Sequence, residues 1–242
     1  MAQIEIVPTK DKLIQQAVEI FIRAANEAIR ERGVFSVALS GGGTPRPVYE
    51  ALGDPIQRGR VDWAKVHLFW GDERHVLPTD AQSNYRMVKE ALLDQIDIPA
   101  ANVHRVPAEM EVRMAAFQYE EDLRQFFSGE WPRFDFVFLG MGGDGHTASL
   151  FPGSAALNEE HRWFVANYAE GMATWRLTLS APAINAARLI LVMAAGESKA
   201  ARLKAVLDGP REPYQMPIQM IAPTDGEMIW LVDEAAAGEI EA

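Results

Sequence analysis

With 242 residues, 48% apolar and 24% charged, the chain has the composition of a folded globular protein that can bury a sizeable core. Its 23 Lys and Arg against 34 Asp and Glu leave a formal charge of −11, with no basic block of the density that a nucleic-acid backbone demands. Nucleic acid is therefore not an expected partner. Cysteine is absent, which excludes disulfides, thiolate nucleophiles and sulfur-ligated metal, and fits a reducing cytoplasm.

Met1 to Lys12 carries Glu5 and Asp11 and no continuous apolar run, so neither a signal peptide nor a membrane span is expected. From about Lys10 to Glu31 the apolar residues Leu13, Ala17, Ile20, Phe21, Ala24 and Ala28 recur at helical spacing, with Gly33 as the stop. Phe35–Leu39 then reads as a buried strand, followed by Ser40-Gly41-Gly42-Gly43-Thr44-Pro45 and a helix to Leu52. The scheme recurs. Val66–Trp70 leads into Gly71-Asp72-Glu73-Arg74, with a helical stretch at Asn84–Ile96. Phe134–Leu139 leads into Gly140–His146, and Leu189–Ala194 into Gly196-Glu197-Ser198-Lys199 and a helix to Leu207. Further strands are expected at Met228–Val232 and, more weakly patterned, near Ile218–Ala222. No repeat or interdomain linker interrupts residues 1–242, so one domain is expected. Apolar strands alternating with helices predict an α/β fold: an open, mostly parallel, Rossmann-like sheet with helices on both faces. Ligands of such sheets sit beyond the carboxyl ends of the strands, which gathers the four polar turns on one rim.

Each turn offers a particular chemistry. In Ser40–Pro45, three glycines, Thr44 as a helix cap and Pro45 in the first helical position can present several N–H groups to one phosphate. The stretch is neither a P-loop nor a dinucleotide fingerprint, and a plain strand-to-helix turn is its simpler reading. Lys199 near a helix start opposes the dipole unless an anion lies between, which makes it a candidate phosphate ligand. Arg74 and Arg176 could supply further anion contacts, and Asp72 a hydroxyl contact.

The most specific stretch is Gly140-Met141-Gly142-Gly143-Asp144-Gly145-His146-Thr147-Ala148-Ser149. A histidine two residues after an aspartate and flanked by glycines is placed for general acid or base work, with Asp144 fixing its tautomer. His67, His75, His104 and His161 have no comparable setting and are expected to be structural or exposed. The absence of Gly-x-Ser-x-Gly disfavours a serine nucleophile, and the absence of closely paired histidines disfavours a zinc-activated water, so no metal or other cofactor is expected.

Ser40–Pro45, Trp70–Arg74, Ser83-Asn84-Tyr85-Arg86, Leu139–Gly153 and Gly196-x-x-Lys199 together resemble, in order and over nearly the whole chain, the motif set of the 6-phosphogluconolactonases. The resemblance implies a fold similar to glucosamine-6-phosphate deaminase and ribose-5-phosphate isomerase. It also implies hydrolysis of a sugar-phosphate lactone in the cytosolic oxidative pentose phosphate pathway; the chain is expected to work as a monomer or homodimer. His146 would be the base and Asp144 its tuner. The phosphate would be held by Ser40, Gly41, Gly42, Gly43, Thr44, Arg74, Arg176 and Lys199, and sugar hydroxyls by Asp72 and Asn84. The prolines that usually precede the family's matching arginine are missing from Gly171–Arg176. Two rival readings stand beside this one. A related amino-sugar-phosphate isomerase or deaminase would carry a glutamate five residues after the motif histidine, where this chain has Phe151. A noncatalytic sugar-phosphate sensor would not need His146, and no DNA-binding segment is present to act as its output.

Overall fold

A computed structural model describes residues 3–240; Met1, Ala2 and the last two positions of the expected 1–242 domain lie outside the described residues. Ten strands are described: β1 Gln3–Val7, β2 Phe35–Leu39, β3 Val66–Trp70, β4 Asp72–Arg74, β5 Val103–His104, β6 Phe136–Gly140, β7 Phe164–Ala169, β8 Thr174–Leu179, β9 Leu189–Ala194 and β10 Glu227–Asp233. The α-helices are α1 Lys10–Arg32, α2 Arg46–Gly53, α3 Pro55–Arg58, α4 Asn84–Ala91, α5 Val112–Phe126, α6 Ala181–Asn185, α7 Ala200–Leu207 and α8 Glu234–Ala237. None of them is long and apolar enough to cross a membrane.

Seven strands form a parallel sheet in the order β1-β10-β9-β6-β2-β3-β5. β2 is buried at all five positions, as a strand covered on both faces must be. Because the strands run the same way, the segments after β2, β3, β6 and β9 emerge at one edge, as the alternation predicts. α1 buries Leu13, Ala17, Ile20, Phe21 and Ala28 against the sheet, and its Thr9 cap accepts the Lys12 N–H at 3.2 Å. Phe21 meets Phe35, Phe136 and Phe138 at ring-centroid distances of 5.3–6.0 Å, which puts the aromatic core under the middle of the sheet.

The structure departs from the periodicity in four places. Ile218–Ala222 is no strand: Pro217–Met220 is a 3-10 turn, since Pro217 lacks an N–H and the Ile218 N–H bonds Gly145 O. The helix at Asn84 ends at Ala91, and a 3-10 turn follows at Leu93–Gln95. Thr44 does not cap α2, whose flanking residue is Pro45 with no side-chain cap bond. Finally, β4, β8 and β7 form a separate antiparallel sheet, and the Gly71 N–H that bonds Leu39 O seats its start beside the end of β2.

Candidate active site

The loop after β6 is folded back on itself. Gly142 N–H donates to His146 O at 2.8 Å, and Gly145 N–H donates to Gly142 O at 3.1 Å. This brings His146 Nδ1 to 2.5 Å from Asp144 Oδ1, which also accepts the His146 N–H at 3.1 Å. A carboxylate on Nδ1 selects the tautomer that leaves Nε2 as a lone-pair acceptor. Burial pushes the Asp144 carboxyl up, but the N–H and imidazole of His146 outweigh it and hold the group below its ordinary value. A glycine is required at 142, because a Cβ there would lie 2.1 Å from His146 Nδ1. Phe151 packs on the imidazole, with ring centroids 4.7 Å apart. The ring is 31% exposed. It opens on a cavity of about 890 Å³ that Asp144, Gly143, Phe151, Met172 and Trp175 also line. None of the expected phosphate ligands lines that cavity.

Two of those residues, Arg74 and Arg176, stand together on the small sheet. On β4 and β8, Arg74 pairs opposite Arg176 and Asp72 opposite Thr178. Arg176 is 7% exposed and has no carboxylate partner among the described residues; burial and the facing Arg74 lower its guanidinium from its ordinary value. Arg74 Nε is buried without a hydrogen-bond partner, and so is Ser40 Oγ. Arg176 Nη1 donates to Thr174 Oγ1 and Trp175 O, both at 3.2 Å, and Arg74 Nη1 donates to Gln82 O at 2.8 Å, while the remaining donors of the two groups bond no oxygen among the described residues. Two such guanidinium groups, with an orphan hydroxyl and an open glycine loop, can form a seat for an anion. Gly41, Gly42 and Gly43 donate no backbone hydrogen bond to the described residues.

Asp72 and Asn84 stand differently from expectation. They are 6% and 2% exposed, and Asn84 Nδ2 donates to Asp72 O at 2.9 Å and to Oδ1 at 3.2 Å. Asp72 Oδ2 accepts the Ser149 hydroxyl at 2.6 Å. A Cβ on Gly41 would lie 1.8 Å from Asn84 Oδ1, so the glycine loop rests directly on this pair. Both Asp72 carboxylate oxygens and the Asn84 amide nitrogen are thus engaged inside the protein. Glu73, on the opposite face of β4, is not a solvated strand end: it is 2% exposed and accepts from Ser83 Oγ and the N–H groups of Arg74, Asn84 and Tyr85, holding the start of α4. Burial pushes its carboxyl up against the pull of those donors.

Lys199 Nζ donates to Met141 O at 2.8 Å, and Arg202, one turn along α7, donates from Nε to Gly143 O at 2.9 Å. The sequence reading missed Arg202, whose only signal is its spacing of three from Lys199. His67 and His104 lie away from the rim: His67 Nδ1 is 3.1 Å from His104 Nε2, and His104 stacks on Phe69 at 4.2 Å. No group of three or more His, Asp or Glu side chains among the described residues has metal-ligand geometry.

A family model described as glucosamine-6-phosphate isomerases/6-phosphogluconolactonase matches residues 8–230. A 6-phosphogluconolactonase of Synechocystis sp. is 42% identical over 238 residues, covering 97% of this chain and 96% of that protein. The structure of a 6-phosphogluconolactonase from Trypanosoma brucei, 27% identical, superposes with a TM-score of 0.87 over 100% of this chain and 99% of the other. A monomeric glucosamine-6-phosphate deaminase shares the fold, with a TM-score of 0.80 at 19% identity over 98% and 99% of the two chains. Matched over most of its length by the family model and over nearly all of it by a close relative, the chain belongs to the glucosamine-6-phosphate isomerase/6-phosphogluconolactonase family.

Proposed function

We propose that this protein hydrolyses 6-phospho-D-glucono-1,5-lactone to 6-phospho-D-gluconate in the oxidative pentose phosphate pathway, as a single cytoplasmic domain working as monomer or homodimer. The observation that carries the reading is the 2.5 Å bond that His146 Nδ1 makes to Asp144 Oδ1, which leaves Nε2 as the free acceptor of a partly exposed ring. In this scheme Nε2 takes a proton from water as the water oxygen attacks C1 of the lactone. Backbone N–H groups of the glycine loops meet the oxyanion. When the C1–O5 bond breaks, the imidazolium returns the proton to O5, and the carboxylic acid formed at C1 releases its own proton to solvent to give the carboxylate. Asp144 stabilises the imidazolium without taking the proton.

In this scheme the phosphate goes to the rim: the open loop Ser40-Gly41-Gly42-Gly43-Thr44, with Arg74, Arg176 and Lys199, the residue just before α7. The unpartnered Ser40 Oγ and Arg74 Nε support this assignment. Fixing the remote phosphate converts its binding energy into orientation of the carbonyl at the base. Asp72 and Asn84, with the Asp72 carboxylate and the Asn84 amide nitrogen engaged internally, serve as support for the loops instead of as hydroxyl ligands. Phe151 stands where the deaminase reading needs a glutamate, and packs tilted against the base.

The scheme uses no metal ion. Freshly generated 6-phosphogluconolactone, assayed in chelator with spontaneous opening subtracted, should be hydrolysed by the wild-type protein, and His146→Ala should lose about 10²–10⁴-fold in kcat. No catalysed rate in the wild type would overturn the function; equal rates for the two proteins would overturn the base.

A further inference from the structure

One face of the β4–β8 ladder does two jobs. Antiparallel pairing sets Asp72 opposite Thr178 and Arg74 opposite Arg176, and the two-residue period of a strand puts all four side chains on the same face. The second pair is the dicationic anion seat. The first pair grips one residue, Ser149, by two atoms: its hydroxyl donates to Asp72 Oδ2 at 2.6 Å and its N–H to Thr178 Oγ1 at 3.2 Å. Asn84 Nδ2 steadies the other Asp72 oxygen at 3.2 Å. Asp72, Asn84, Ser149 and Thr178 are each at most 6% exposed, so these bonds are shielded from competing water.

Ser149 closes the loop that carries Asp144 and His146, and the residue before it, Ala148, is held at φ 47°. A non-glycine residue in that region costs energy and persists only where the surroundings enforce it. The other end of the loop is tied separately, by Lys199 to Met141 O and by the Thr147 hydroxyl to Gly140 O at 2.9 Å. Asn167 Nδ2 holds the Ser149 carbonyl at 2.9 Å, so loss of the Asp72 and Thr178 bonds loosens the side chain and N–H of Ser149 and lets the loop exit shift without detaching it.

The two pairs are neighbours on the ladder, about 7 Å apart along the strands. The charge of Arg74 bears on the Arg176 guanidinium, and an anion received between the two would offset that repulsion and favour a closer approach of β4 and β8 at that end. We propose that Ser149, held by Asp72 and Thr178, is a positioning residue that couples occupancy of the Arg74/Arg176 seat to the pose of His146. The proposal rests on the assignment of the phosphate to that seat. It makes the catalytic loop respond to the phosphate end of the substrate before the carbonyl arrives.

The test uses inorganic phosphate as the probe and the His146 imidazole resonance, assigned by its loss in His146→Gln, as the readout. In the wild type, saturating phosphate should shift that resonance. In Ser149→Ala, phosphate should still bind while the His146 shift falls to less than about half. Thr178→Val, close to isosteric and lacking only the acceptor, should give an intermediate shift and guards against misfolding of the first variant. Ser149→Ala should lower kcat on the phosphorylated lactone about 10- to 100-fold with KM little changed, the scale expected for a base displaced by a fraction of an ångström. An undiminished His146 shift in both variants would show that phosphate acts through space and would overturn the coupling. Absence of phosphate binding to the wild type would remove the seat, and the proposal with it, even if lactone hydrolysis stood. Lactonase failure with the coupling intact would sink the function alone.

Discussion

Two glycine-rich loops meet at the rim, and they are built in opposite ways. Gly140–Ser149 is largely closed: its carbonyls accept from Lys199 and Arg202, the N–H groups of Gly142, Gly145 and His146 bond within the turn, and its last residue is gripped by Asp72 and Thr178. Ser40–Thr44 is open: Tyr49 ties the backbone of Ser40 at 3.0–3.1 Å, while the three glycine N–H groups and Ser40 Oγ bond nothing among the described residues. The contrast matches two kinds of work. A general base must be held in one pose, so its loop spends its polar groups on itself. An anion must be received, so its loop leaves donors free.

The largest expected effect comes from disturbing the closed loop at its tightest point. Gly142→Ala would drive a methyl to 2.1 Å from His146 Nδ1 and displace the ring from Asp144. About a 10²-fold fall in kcat is expected, with a far-ultraviolet spectrum like that of the wild type, measured by the lactone assay and circular dichroism. A variant of undiminished activity would mean that the pose of the ring does not matter.

Next in size is the open side. Arg176→Met keeps most of the buried volume and removes one guanidinium from the seat. A charged hydrogen bond of about 1.5–3 kcal/mol predicts a rise in KM of roughly 10- to 150-fold. Initial rates over a range of lactone concentrations check it; a loss confined to kcat would move Arg176 from the anion to the carbonyl.

The smallest effect lies away from both loops and serves as their control. Burial and the adjacent His67 lower His104 to about 4, with Asp122 of α5 the one carboxylate pulling the other way, and burial lowers His67 as well. The folded state thus prefers neutral rings while the unfolded chain protonates near pH 6.5. The sign follows: stability from this pair is whole above about pH 6.5 and is lost as pH falls toward 4. Solvent screening of half-buried rings limits the loss to on the order of 1 kcal/mol, or about 2–4 °C in Tm. His104→Phe, which preserves the stack on Phe69, should flatten this part of the Tm–pH curve and leave KM at pH 7.5 unchanged; an unaltered slope would acquit the pair.

The central sheet was legible because each strand is short, apolar and followed by a glycine or a charge. β2, β3 and β9 begin and end where the pattern predicts. The small sheet was not, because β4 consists of Asp72, Glu73 and Arg74, residues with no intrinsic reason to form a strand; only pairing with β8 makes them one. The same alternation sends Asp72 and Arg74 to the rim and Glu73 to the start of α4. No local pattern could reveal that, since Glu73 has its partners at Ser83, Asn84 and Tyr85.

For the site, local chemistry was readable and division of labour was not. The Asp144–His146 pair, two residues apart with glycines around it, is written into a single stretch of chain, so its hydrogen bond follows from short-range geometry. The internal bonds of Asp72 and Asn84 were not readable, for the opposite reason. A carboxylate at a strand end reads as available until a distant segment takes it up, and here Ser149 lies 77 positions away in the chain. Residue type and spacing specify which groups can react or bind. Which of them stay free to do so depends on long-range packing, because a buried polar group must be satisfied by whatever the fold brings beside it.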